Sequence, residues 1–133
     1  MTVIVDSNVW IFAEVKDAPE HPHAARAIQS LLEKSDIGTN VVVLSEVFHK
    51  VSSFFGPSMA SERVRTALLH PSVQWLHFGQ DNAAGATRLA QETGIRINDA
   101  LIAQQGLENG AAVLTDNVKD FRKVKGLKVI GLR

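Results

Sequence analysis

The chain has 133 residues, of which 45% are hydrophobic and 21% charged, a balance typical of one globular domain. Its 14 basic and 14 acidic residues cancel, so the molecule as a whole is not a nucleic-acid-binding polycation. It has no cysteine, which excludes disulfides, thiolate metal sites and a cysteine nucleophile. No signal-peptide pattern opens the chain and no window approaches about eighteen apolar residues, so we expect a cytoplasmic protein without membrane contact.

Short strand-like runs alternate with helical patterns along the whole chain. In chain order the predicted elements are a strand (2–5), a helix (7–15), a helix (21–34), a short strand (36–38), a helix (40–55), a helix (58–70), a strand (73–78), a helix (81–94), a helix (97–110), a strand (111–115) and a last strand (128–132). Such alternation is typical of parallel βαβ units. It predicts an α/β fold in which a short, mostly parallel sheet has helices on both faces.

Boundary residues support several of these elements. Ser7 or Asn8 is the expected N-cap of the first helix, because both side chains can accept a hydrogen bond from a free backbone N–H. The helix over 40–55 is expected to end at Gly56-Pro57, and Gly94 and Gly110 should end two later helices.

Four acidic residues stand out by their context. Asp6 ends the strand "TVIV", Glu46 lies in the apolar helix turn "VVLSEVFHKV", Asp99 opens the helix "INDALIA", and Asp116 follows the strand "AAVLT". Each also has a purely structural explanation. Turns or caps account for Asp6 and Asp116, an ion pair with Lys50 accounts for Glu46, and the helix dipole accounts for Asp99.

The predicted fold would bring several of these acids to one edge of the sheet. Ligands of open parallel sheets bind beyond the carboxyl ends of the strands, and both Asp6 and Asp116 should lie at that edge. Converging carboxylates repel one another unless they are protonated or hold a cation between them. An oxygen-rich site without His or Cys suits Mg²⁺ or Mn²⁺, which can activate water and neutralise charge during phosphoryl transfer.

Four segments of the chain resemble the PIN domain, and in particular the short VapC-like toxins of prokaryotic toxin–antitoxin pairs. They are "VIVDSNVWIFA", "VVLSEVFHKV", "IRINDALIAQQ" and "AVLTDNVKDFRKVKGLKVI". Each is weak alone, but their order and spacing cover essentially all 133 residues, which implies a single PIN domain over residues 1–133 with a three-layer sandwich.

The resemblance implies a metal-dependent ribonuclease in which Asp6, Glu46 and Asp99 are acidic ligands of Mg²⁺ or Mn²⁺. The family's fourth acidic position falls on Asn117, with Asp116 one place earlier. Both are therefore candidates for the fourth catalytic position, Asp116 is also a candidate metal ligand, and Asp120 is a secondary candidate. Hydroxyl groups of Ser7 and Thr115 are candidates for orienting water or phosphate, and basic residues near the site are candidates for contacting flanking phosphates: Arg96, Lys119 and Arg122.

The resemblance also implies partners, namely an RNA substrate, a cognate antitoxin and a second copy of the chain. Apolar residues that exceed the needs of one core are candidates for these interfaces: Phe54, Phe55, Met59 and Leu69. Two other functions remain open on the sequence. One is a catalytically silent module that binds RNA or a partner, and the other is an Mg²⁺-dependent phosphatase, which would want a second acid where Asn8 stands.

Overall fold

A computed structural model describes residues 1–133 and contains five strands and seven helices. The strands are β1 (Val3–Val5), β2 (Ile37–Thr39), β3 (Gln74–Trp75), β4 (Ala112–Thr115) and β5 (Val129–Gly131). The helices are α1 (Ser7–Glu14), α2 (His21–Glu33), α3 (Val41–Phe55), α4 (Pro57–Leu68), α5 (Gln80–Thr93), α6 (Ile97–Asn109) and α7 (Val118–Phe121). None of these helices combines the length and the apolar character that crossing a bilayer requires.

All five strands are parallel and lie in the order β3-β2-β1-β4-β5. The chain leaves β1 towards β2 and β3 and later returns to place β4 on the other side of β1. Neighbouring strands β1 and β4 therefore form the switch point, the edge at which ligands of open parallel sheets bind. The predicted parallel α/β sheet is confirmed.

Helices cover both faces of the sheet. On one face, Leu31 of α2 lines a groove together with Val3 and Leu114. On the opposite face α6 comes so close that a Cβ added at Gly106 would lie 3.5 Å from a methyl group of Val113. Because Leu114 and Val113 are successive strand residues, their side chains point to opposite faces, and the fold has the three layers that were expected.

The predicted helices and strands are confirmed to within a few residues at each end. Gly94 and Gly110 end α5 and α6 in the left-handed conformation that glycine adopts most easily, at φ 77° and 60°. The strand expected over 73–78 is shorter, because only Gln74 and Trp75 pair with β2.

Two local features differ from the sequence-based expectation. The N-cap of α1 is Asp6, not Ser7 or Asn8, because the Asp6 carboxylate accepts a hydrogen bond from the Ser7 backbone N–H. Helix α7 was not predicted, since its four residues are too short to show a helical period. Its anchor is Phe121, which is fully buried.

Candidate metal centre

Asp6 lies at the switch point, directly beyond β1 and beside the end of β4. Its side chain is buried, with 3% of its surface exposed. One carboxylate oxygen accepts a hydrogen bond from the Ser7 N–H at 2.8 Å, and the other accepts one from the Thr115 hydroxyl at 2.7 Å. Thr115 therefore uses its hydroxyl to orient the Asp6 carboxylate, and its predicted role in orienting water or phosphate stays a prediction.

Burial raises the pKa of Asp6 from its ordinary value of 3.8 to about 6. The hydrogen bonds from Thr115 and Ser7 act in the opposite direction, because they stabilise the ionised form. The negative charges of Asp99 and Glu46 raise the pKa further. No cationic side chain pairs with Asp6, and Asp6 is close enough to two other acids for their charges to affect its pKa.

Asp99 enters the same region from the first turn of α6 and is 2% exposed. Its two oxygens accept hydrogen bonds from the Arg96 guanidinium, at 3.4 Å from Nε and 3.3 Å from Nη2. Burial raises the pKa of Asp99, and the contacts with Arg96 oppose that rise. The charge of Glu46 raises it as well, which confirms that the two acids are neighbours.

Glu46 comes from the middle of α3, and its side chain is 18% exposed. Its Oε2 atom accepts hydrogen bonds from Arg96 Nη2 and from Asn98 Nδ2, each at 3.4 Å. Its Oε1 atom is buried and has no hydrogen-bond partner. A buried anionic oxygen without a partner is costly and marks a place where a cation would be stabilising.

These donors suit a hard divalent cation. Three carboxylates from β1, α3 and α6 converge, and their oxygens are the ligands that Mg²⁺ and Mn²⁺ prefer. With the side chains in these positions, however, no three acids or histidines lie close enough together to hold an ion. The Arg96 guanidinium lies between Glu46 and Asp99 and contacts both.

The Asp116 carboxylate does not point to this group of acids. Both of its oxygens accept hydrogen bonds from Arg133, from Nε and Nη2 at 3.0 Å each, and the same arginine also pairs with Glu20 at 3.9 Å. The backbone N–H of Asp116 donates to the Asn8 side chain at 3.2 Å. A metal role for Asp116 stays a prediction, and it requires Arg133 to release that carboxylate.

Asn117 and Asp120 form a small unit beside the site. The Asn117 side chain donates to Asp120 Oδ2 at 3.0 Å, and its backbone N–H donates to the Thr115 hydroxyl at 2.8 Å. The Asn117 contact, together with Lys123 and Lys119, lowers the pKa of Asp120. Asp120 in turn raises the pKa of Asp99 through its charge. Of the residues weighed for the fourth position, Asp120 is thus the acid whose charge reaches the site.

The sequence did not reveal a buried polar network that joins the helices carrying Glu46 and Asp99. Asn40, which caps α3 by accepting from the Val43 N–H at 2.9 Å, donates to Gln105 of α6 at 2.7 Å. Gln105 donates onward to the His77 carbonyl at 3.4 Å, and both amide side chains are almost fully buried. The polar glutamine in the apolar run "ALIAQQ" was the available signal for this brace.

Part of the chain is similar in sequence to a plant enzyme. The chain is 33% identical over 109 residues to serotonin N-acetyltransferase 2, chloroplastic, of Oryza sativa subsp. japonica. The match covers 76% of this chain, and the chain spans about half the length of that relative, 52%. The likeness therefore carries no activity across to this chain.

Solved structures with a similar fold include several from toxin–antitoxin complexes. DNA-bound VapBC from Salmonella typhimurium matches with a TM-score of 0.78 at 18% identity, covering 100% of this chain and 99% of that chain. VapBC2 from Rickettsia felis, bound to a DNA fragment from its promoter, matches with a TM-score of 0.76 at 19% identity, covering 98% of each chain. VapC20 from Mycobacterium tuberculosis, a sarcin-ricin loop cleaving toxin, matches at 0.72 and 17% identity, covering 89% of this chain and 93% of that chain.

A family model described as PIN domain matches residues 3–127. That span runs from β1 to just before β5 and includes all three buried carboxylates. The sequence resemblance, the parallel sheet and the structural neighbours agree with this match. The chain belongs to the PIN domain family.

Proposed function

We propose that this PIN domain is an Mg²⁺- or Mn²⁺-dependent endoribonuclease that hydrolyses RNA phosphodiester bonds as the toxin of a toxin–antitoxin pair. The observation that supports the proposal is that Glu46 and Asp99, from two separate helices, contact the same Arg96 guanidinium, and that their charges raise the pKa of Asp6 at the switch point of the sheet. The VapBC complexes and the sarcin-ricin loop cleaving toxin among its structural neighbours support the same function.

In this proposal the three acids hold the cation, which when bound would activate water and offset negative charge on the phosphate. Thr115 and the Ser7 N–H fix the Asp6 carboxylate, while Asn98 holds one oxygen of Glu46. Because Asp6 has a pKa of about 6, its ionised form predominates at neutral pH, where it can act as a ligand.

An open site fits a polymeric substrate. Four surface cavities are present, and none is lined by Asp6, Glu46 or Asp99. The largest, about 400 Å³, lies between α1 and α4.

Lys119 and Arg122 are exposed in and just after α7, next to Asp120, and are suited to contact phosphates that flank the cleaved bond.

The two other functions that the sequence left open have less support. A phosphatase that forms a phosphoaspartate would want a second acid two residues after the nucleophile, and no acid stands there after Asp6. Asn8 is at that position, and its side chain is engaged in hydrogen bonds: it donates to the Thr115 hydroxyl and accepts from the Asp116 backbone N–H. A catalytically silent module has no need to keep three buried acids together, because their repulsion is costly.

The test is cleavage-site mapping on total RNA, with and without EDTA. We expect defined cuts that need Mg²⁺ or Mn²⁺ and that fall by about 10³-fold or more in Asp6→Asn and Asp99→Asn. Asp81→Asn is the matched control, because Asp81 also lies in the first turn of a helix but is exposed and distant from these contacts. Cleavage by both variants at the rate of the unmodified protein would refute the assignment.

The proposal includes an antitoxin and a second copy of the chain as partners in the cytoplasm. Apolar side chains on α3 and α4 remain exposed, including Phe54, Met59 and Leu69, each about half exposed, whereas Phe55 packs against the core. An adjacent apolar groove is lined by Phe48, Val64 and other side chains of the same two helices. Sedimentation of the chain alone and with a co-expressed upstream gene product would test both interfaces. A monomer that binds no such product would contradict them.

A further inference from the structure

One guanidinium joins two of the three buried acids. Arg96 Nη2 lies 3.4 Å from Glu46 Oε2 and 3.3 Å from Asp99 Oδ1, and Arg96 Nε lies 3.4 Å from Asp99 Oδ2. The arginine precedes α6 in extended conformation, three residues before Asp99. The position of Arg96 at the start of α6 thus places its positive charge between the two carboxylates.

The two acids and the arginine differ in how they are embedded. The side chains of Asp99 and Glu46 are 3% and 18% exposed, whereas the side chain of Arg96 is 69% exposed. The acids are fixed by the fold, but the arginine reaches them from the solvent side. It can therefore leave without opening the core, and its contacts at 3.3–3.4 Å are longer than those of a tight charge-assisted pair.

Arg96 satisfies the acids only in part. It contacts Oε2 of Glu46, but Oε1 stays buried without a partner. Asp6 receives no contact from the guanidinium, although its charge acts on that of Arg96. A cation bound to Asp99 would have to share oxygens that Arg96 now contacts, whereas Glu46 would still offer Oε1. A cation and a guanidinium so close together also repel each other strongly.

We infer that Arg96 is an intramolecular counter-ion that competes with the divalent cation for Glu46 and Asp99, so that metal binding must displace it. This inference rests on the proposed function, because it concerns the same three acids. Two consequences have opposite signs. The arginine stabilises the metal-free fold by compensating two buried charges, and it weakens metal binding by holding their oxygens.

The experiment compares Arg96→Gln with the unmodified chain by calorimetric titration with Mn²⁺ and by thermal unfolding with and without Mn²⁺. We expect Arg96→Gln to have a lower Tm without metal, a larger rise in Tm on adding Mn²⁺, and a Kd for Mn²⁺ lowered about tenfold or more. Arg96→Lys, which keeps the charge but loses the planar fork, should give a Kd between these two.

Arg88→Gln is the matched control, because Arg88 is an exposed arginine of α5 that pairs with none of the three acids. It should change the Kd for Mn²⁺ by less than about threefold, as expected for a screened charge without contact. Equal Kd values for Arg96→Gln and the unmodified chain, or equal effects of Arg96→Gln and Arg88→Gln, would overturn the inference and leave the metal site intact. No saturable binding by any variant would instead refute the metal site, and this inference with it.

Discussion

Two acidic regions lie at the same edge of the sheet and differ in how far their carboxylates are buried. The inner region contains Asp6 and Asp99, which are buried and have raised pKa values. The rim contains Asp116 and Asp120, which are partly exposed and paired with Arg133 and Lys123. Asp6 and Asp116 each directly follow one of two paired strands, so position in the sheet alone does not explain the difference.

The contrast is sharpest between Asp116 and Asp6, since Asp99 has Arg96 as a counter-ion. At the rim, a bidentate arginine at 3.0 Å neutralises Asp116. At Asp6 the only hydrogen-bond donors are a hydroxyl and a backbone N–H, both neutral. Buried charge without a counter-ion lowers stability, and it is retained where function uses it. This difference is why the metal-dependent reaction that we propose is placed in the inner region.

The largest expected effect that separates the two regions is the dependence of stability on pH. Because the folded protein holds the Asp6 proton more tightly than the unfolded chain does, stability should fall as pH rises from about 4 through about 6. A shift of about two pKa units corresponds to about 3 kcal/mol. Without metal at pH 8, Asp6→Asn should therefore unfold at higher denaturant than the unmodified chain, and the two should converge near pH 4.

Urea unfolding in EDTA at several pH values measures that difference. Asparagine is a good N-cap, so the variant keeps the start of α1. Asp116→Asn is the control at the rim and should not reproduce the gain. Curves for the unmodified chain and Asp6→Asn that stay parallel from pH 4 to 8 would contradict the prediction.

The next effect concerns the brace beneath the inner region. Gln105→Leu removes the partner of the buried Asn40 side chain, and an unsatisfied buried amide costs about 1–3 kcal/mol. Because the brace joins the helices carrying Glu46 and Asp99, the Kd for Mn²⁺ should rise as well. Gln104→Leu is the control, because the hydrogen bond of the Gln104 side chain goes to Glu108 of its own helix and not to the buried Asn40. Loss of stability without any change in Kd would show that the brace does not position the acids.

The smallest effect is expected at the rim. Arg133→Gln removes the exposed pair with Asp116, and exposed pairs contribute little and are screened by salt. RNA cleavage should stay within about twofold of the unmodified chain, and the change in Tm should disappear in high salt. A loss of cleavage comparable to that of Asp6→Asn would place Arg133 or Asp116 in the inner region.

The sequence by itself determined the α/β alternation and the helix ends at glycine, and it singled out Asp6, Glu46 and Asp99, whose role as metal ligands stays a prediction. It could do so because hydrophobic period and strand-end position are local properties of the chain. The same local information misassigned the cap of α1, since Asp6, Ser7 and Asn8 are all good capping residues and only the packing of β1 beside β4 selects Asp6.

Only the tertiary structure decided which charges meet. Arg96 and Glu46 are 50 residues apart in sequence, Asp116 and Arg133 are 17 apart, and Asn40 and Gln105 are 65 apart. The charge of Asp120 acts on Asp99, whereas Arg133 holds the Asp116 carboxylate, and only the folded chain brings these groups together. The energy of a charge pair depends on the distance between the two groups and on their burial, and the order of residues along the chain gives neither.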